Sequence, residues 1–126
     1  MARPLLTNVV VRWAPFITLF TVVCYLLFQQ MPATRLFEGS DKWGHFSAFM
    51  ALVLFARVAA STRRHLMGLL LGLVLFALIS EALHASGFWP TRHFSYLDIV
   101  ANLAGCFVGF AFSQFLALYF SMLEQR

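Results

Sequence analysis

The sequence predicts an all-α membrane protein: one domain over residues 1–126, built as a four-helix transmembrane bundle with short loops. Two observations carry that expectation. Hydrophobic residues make up 61% of the chain and charged residues only 11%, which leaves too little polar surface to cover a soluble domain of this size. Apolar stretches of spanning length also recur along the chain. A helix rising 1.5 Å per residue needs ~20 residues to cross a ~30 Å hydrocarbon core.

The spans are expected at about 13–31, 42–60, 66–86 and 98–120. The first is the uncharged run from Trp13 to Met31. Arg3 and Arg12 ahead of it give it some likeness to a secretory signal. The run is longer than a usual signal core and no small-x-small cleavage site follows, so an uncleaved helix is expected. The second, Trp43 to Ala60, is interrupted by His45 near its start and Arg57 near its end, as suits a helix with its polar residues at its two ends. The third, Leu66 to Ser80, reaches spanning length by taking in Glu81 and His84, and the fourth runs uncharged from Ile99 to Phe120.

Four spans put both termini on one side. Arg3, Arg12, Arg57, Arg63, Arg64 and Arg126 would share that side, against Arg35, Lys42 and Arg92 on the other. Basic residues in short loops stay cytoplasmic, so cytoplasmic termini are expected. The run from Ser61 to His65 then becomes an inner loop whose arginines anchor the topology and touch anionic lipid. The net charge of +4 accordingly points to a membrane surface and not to nucleic acid.

With that orientation, three polar clusters fall at one depth near the outer face: Asp41, Lys42 and His45; Glu81 and His84; and Arg92, His93, Asp98 and Asn102. Their spacing places each set on one side of its helix, with Asp98, Asn102, Gly105 and Gly109 forming a single stripe. Gly105-x-x-x-Gly109 and Gly68-x-x-x-Gly72 are both expected to let neighbouring helices approach closely. Asp41 is placed to cap the second helix, and Ser95-x-x-Asp98 has the form of a capping box for the fourth. The aromatic connection from Gly87 to Tyr96 suits a lid on the outer surface. Trp43 and Trp89 would mark the outer interface, and Trp13 and Tyr119 the inner one.

The pattern Asp41-Lys42-x-x-His45, then Glu81, then Pro90-x-Arg92, then Asp98-x-x-x-Asn102-x-x-Gly105 resembles that of the VanZ-like membrane proteins. The match covers about half the chain. That family usually carries Glu-x-x-Gln in its third helix, where this chain has Glu81-x-x-His84. The resemblance implies a small multi-helix protein of the bacterial inner membrane, related to one that confers resistance to the glycopeptide teicoplanin.

Three functions fit these residues. In the first, a non-enzymatic protein of the cell envelope uses Asp41, Lys42, His45, Glu81, His84, Arg92, Asp98 and Asn102 to recognise a lipid headgroup or a lipid-linked cell-wall precursor. In the second, a membrane enzyme uses His45 or Glu81 as a general base, with Arg92 and Lys42 stabilising negative charge. In the third, the network only staples helices together. A forked guanidinium such as Arg92 can clamp a carboxylate or a phosphate at two points, and its simplest partner here is Glu81 or Asp98. Membrane lipids are the expected partners. No cofactor is expected, and a hydrogen-bonded network is favoured over metal binding at the two histidine and carboxylate pairs. Cys24 and Cys106 read as packing residues without a disulfide, and His65 and His93 as loop contacts.

Overall fold

The computed structural model describes residues 8–29, 40–88, 90 and 93–126. Among these the chain forms four helices: α1 (Val9–Phe28), α2 (Ser40–Ala59), α3 (Arg63–Ala85) and α4 (Tyr96–Glu124). Two of them begin ahead of their apolar runs because a polar side chain caps them. Asn8 Oδ1 accepts from the Val10 N–H at 2.9 Å, and Thr62 Oγ1 accepts from the His65 N–H at 3.2 Å. Each bond satisfies one of the donors that a helix start leaves without an internal partner.

The fourth helix starts differently from expectation. Ser95 makes no side-chain capping bond, so the capping box does not form. Its backbone is extended there, and its N–H donates to Glu81 Oε2 of α3 at 3.3 Å. The Asp98 side chain instead accepts from the Lys42 ammonium of another helix at 3.1 Å, with His45 Nε2 3.7 Å from its other oxygen. A charge-assisted bond at a partly buried position outweighs a local cap.

Three helices, α1, α3 and α4, are long and apolar enough to cross a membrane, which makes this a membrane protein. Their outward faces agree. On α3 the exposed residues Met67, Leu71, Leu75, Leu78, Ile79 and Leu83 form one helical stripe, and α4 exposes Val100, Phe107, Phe112, Phe115 and Leu118. Apolar faces of this extent suit hydrocarbon and not water. By contrast α2, with Asp41 and Lys42 in one end turn and Arg57 in the other, is not among the three.

That helix is the innermost. It packs on α1, α3 and α4, most extensively on α4, and its Phe49, Leu52, Val53, Ala56 and Ala59 are fully buried. An aromatic seam ties it to its neighbours: Phe20 of α1 lies 4.9 Å from Phe76 of α3, which lies 5.9 Å from Phe49 of α2. The less apolar helix is thus the one that packs on all three others, with Trp43, Phe55 and Val58 left on its outward side.

The contact between α2 and α4 has no side chains on the α4 side at its closest points. A Cβ at Gly105 would overlap the Phe46 carbonyl oxygen, and one at Gly109 would lie 2.9 Å from the Met50 carbonyl oxygen and 3.1 Å from Val53 Cβ. Small residues substitute tight backbone approach for the hydrophobic drive that is missing between helices in lipid. Gly68 and Gly72 do not behave this way. A Cβ at either would meet nothing within 4 Å, because both lie on the exposed side of α3 beside Leu71. The expectation that this pair brings helices together is corrected accordingly.

Candidate functional site

Short connections reverse the chain between α2 and α3 and again between α3 and α4, so the start of α2, the end of α3 and the start of α4 meet at one end of the bundle. The polar residues of all three elements converge there. Lys42 Nζ lies 3.1 Å from Asp98 Oδ1 and 3.4 Å from Asp41 Oδ2. His45 Nδ1 lies 2.9 Å from Asn102 Oδ1. An amide oxygen only accepts, so Nδ1 carries the proton and donates, and Nε2 is the lone-pair side of the ring. Nε2 lies 3.7 Å from Asp98 Oδ2.

Burial deepens across the cluster. The Lys42 and Asp41 side chains are 34% and 36% exposed, Asp98 and His45 are 13% and 10%, and Glu81 and Asn102 are fully enclosed. Charged and polar groups are rare at such depth unless partnered. Glu81 holds the Ser95 N–H with Oε2, while Oε1 lies 3.5 Å from His84 Nδ1 and has no hydrogen-bond partner among the described residues. Asn102 Nδ2 is the other enclosed polar atom of the cluster without one.

His84 reaches a different neighbour from the rest. Its Nε2 lies 3.0 Å from the Leu27 carbonyl oxygen, and its ring packs edge-on against Phe28 at 5.7 Å. A carbonyl must accept, so Nε2 donates. Leu27 belongs to the last turn of α1, where carbonyls lack a partner within the helix. The imidazole therefore finishes α1 and turns its Nδ1 towards Glu81. This bond gives the histidine of Glu81-x-x-His84 a reason to be there: it joins α1 to α3.

Among the sequence-predicted residues, Asp41, Lys42, His45, Glu81, Asp98 and Asn102 come together, and His84 borders them through Glu81. Gly105 and Gly109 lie farther along α4 in its contact with α2. Arg35, Trp89 and Arg92 lie outside the described residues, as does most of the candidate lid's centre. His93 is exposed, and His65, expected in a loop, lies in the first turn of α3 at the opposite end, where it bonds Ser61 Oγ at 2.8 Å. Three partners escaped the sequence reading: the Ser95 N–H, the Leu27 carbonyl and the buried Ser80, whose hydroxyl donates to the Ala77 carbonyl at 3.0 Å. Two of these are backbone groups, which no side-chain pattern reveals.

The other end of the bundle is basic. A cavity of about 330 Å³ there is lined by Arg57, Ala60, Ser61, Thr62, Arg63, Leu66 and Gln114.

Chemically, the cluster presents an ammonium at its rim, carboxylates behind it and an imidazole with a lone pair facing inward. A ring nitrogen of His45 and one carboxylate oxygen each from Glu81 and Asp98 lie within 4.8 Å of one another. Such a set can bind a polar group with both donors and acceptors, accept a proton at His45, or hold a cation. Comparison of the chain with family models, curated proteins and solved structures finds no match.

Proposed function

We propose that this chain is a VanZ-like protein of the bacterial inner membrane that recognises the polar headgroup of a lipid or a lipid-linked cell-envelope precursor. In this reading all four helices cross the bilayer. The polar residues of α2 other than His45 and Ser47 lie at its ends, its 20 residues match the ~30 Å hydrocarbon thickness, and it packs on all three other helices while leaving Trp43, Phe55 and Val58 outward. Both termini are then cytoplasmic, the arginine-rich end faces the cytoplasm and the cluster faces the outer leaflet. A reporter at Arg126 active only outside the cell would overturn that orientation.

The observation that carries the functional reading is the gradient of exposure within one cluster. Glu81 and Asn102 are enclosed, whereas Lys42 and Asp41, bonded into the same set, are about one-third exposed at its rim. A network that only stapled helices would have no need of charges at a rim that a headgroup can reach. An ammonium beside carboxylates suits a group with both negative charge and hydrogen-bond donors, such as a phosphorylated sugar or amine.

Native mass spectrometry of the purified chain tests this. Wild type is expected to carry a lipid that Lys42→Met loses while remaining helical; equal retention overturns the reading. If the resemblance extends to glycopeptides, overproduction in a teicoplanin-sensitive host raises resistance, and unchanged susceptibility with verified insertion removes that part.

One observation favours a second reading as a membrane enzyme: Asn102 fixes the His45 tautomer so that Nε2 faces inward as a base. That reading requires His45→Gln and Glu81→Gln to retain lipid while blocking its turnover.

A further inference from the structure

We propose that His45, Glu81 and Asp98 form a binding site for one first-row divalent transition-metal ion. The proposal does not rest on the headgroup reading, because it concerns the chain's own ligand atoms and is tested with metal alone.

One residue comes from each of α2, α3 and α4, and their candidate ligand atoms lie within 4.8 Å of one another. Bonds of ~2.0–2.2 Å to nitrogen and oxygen leave ligand atoms at most about 4.4 Å apart across a metal and about 3.4 Å apart in a tetrahedral set, so side-chain movements of about an ångström close the set. The hydrogen bonds then say which atom each residue has to offer. His45 uses Nδ1–H on Asn102 and keeps the Nε2 lone pair. Asp98 receives Lys42 on Oδ1 and keeps Oδ2, 3.7 Å from that Nε2. Glu81 accepts the Ser95 N–H on Oε2 and keeps Oε1, enclosed and without a hydrogen-bond partner among the described residues.

Each prospective ligand therefore has its second polar atom held by another group, the arrangement that orients metal ligands and sets the histidine tautomer. The independent pointer to a ligand is Glu81. A fully enclosed carboxylate whose second oxygen accepts no hydrogen bond among the described residues, and has only the His84 ring nitrogen 3.5 Å away, is costly to bury, and a cation placed between it, Asp98 and His45 offsets that cost. Lys42 lies on the far oxygen of Asp98 and leaves the near one to the metal. One imidazole with two carboxylates suits Zn²⁺, Co²⁺ or Mn²⁺, whereas Mg²⁺ prefers an all-oxygen, largely hydrated shell.

The test uses the full chain, purified in detergent without a polyhistidine tag, stripped with chelator and titrated with Co²⁺. We expect saturable uptake of about one ion per chain, with visible absorption from the bound cobalt and displacement by Zn²⁺. Glu81→Gln, Asp98→Asn and His45→Gln are expected to abolish it. Asn102→Ala, which removes only the group holding His45, should weaken binding about 10- to 100-fold. His65→Gln, at the far end of α3, and His93→Gln, ahead of α4, should change nothing. Absence of saturable Co²⁺ uptake by the wild type overturns the proposal without any variant having to fold. So does uptake that persists in Glu81→Gln and Asp98→Asn, or binding of Mg²⁺ in preference to Co²⁺.

Discussion

The two ends of the bundle hold charge in opposite ways. At one end Lys42, Asp98, His45, Asn102 and Glu81 are drawn from three helices into a single cluster that runs from a half-open rim to a sealed interior. At the other, Arg57 and Arg63 line a polar cavity with serine, threonine and glutamine, and no acid is among its lining residues. A cation at the bilayer surface can be solvated or can meet lipid phosphate, so its exact neighbours matter little. A carboxylate enclosed by helices must find its partners inside the protein, and this dictates how the helices are placed. The basic end thus leaves its neighbours free to vary, and the mixed end fixes how three helices meet.

Substitutions along the bundle can break or sharpen that contrast. The largest effect is expected between the ends, at Gly105→Leu, where added atoms collide with the Phe46 carbonyl. Overpacking of this kind should cost about 3 kcal/mol or prevent a folded bundle, read as thermal unfolding in detergent. Asp98→Ala removes the shared partner of Lys42 and His45 and should destabilise by about 2–3 kcal/mol. Asn102→Ala leaves the His45 Nδ1–H without its acceptor and should cost about 1–2 kcal/mol. Arg57→Gln, at the basic end, should stay within about 0.5 kcal/mol of wild type while shifting the proportion of chains inserted in one orientation. Equal destabilisation by Arg57→Gln and Asp98→Ala would abolish the distinction between the ends.

Much of this arrangement could be read from spacing. Asp41 and His45, Glu81 and His84, and Asp98 and Asn102 each share a helix face at three- or four-residue intervals, and antiparallel helices of spanning length bring those faces to one end. The helix boundaries moved because caps lie outside the apolar runs, as at Asn8 and Thr62. Spacing does not say which face meets which. Gly105 and Gly68 sit in identical motifs, yet only the first meets a neighbouring backbone. Nor does it show that His84 turns to the end of α1, since its partner is a main-chain carbonyl of a leucine. The low hydropathy of α2 is likewise a tertiary matter. A helix that packs on three others need match lipid on only part of its surface.

The bare-backbone contact at Gly105 and Gly109 has a mechanical consequence. With no side chain to repack between them, α2 and α4 are welded into one rigid jaw, which fixes His45 relative to Asp98 and Asn102. Glu81 rides on α3, whose own glycines touch nothing and whose grip on the jaw comes from side chains such as Phe76. Any change in the spacing of the three helices at the cluster therefore falls to α3.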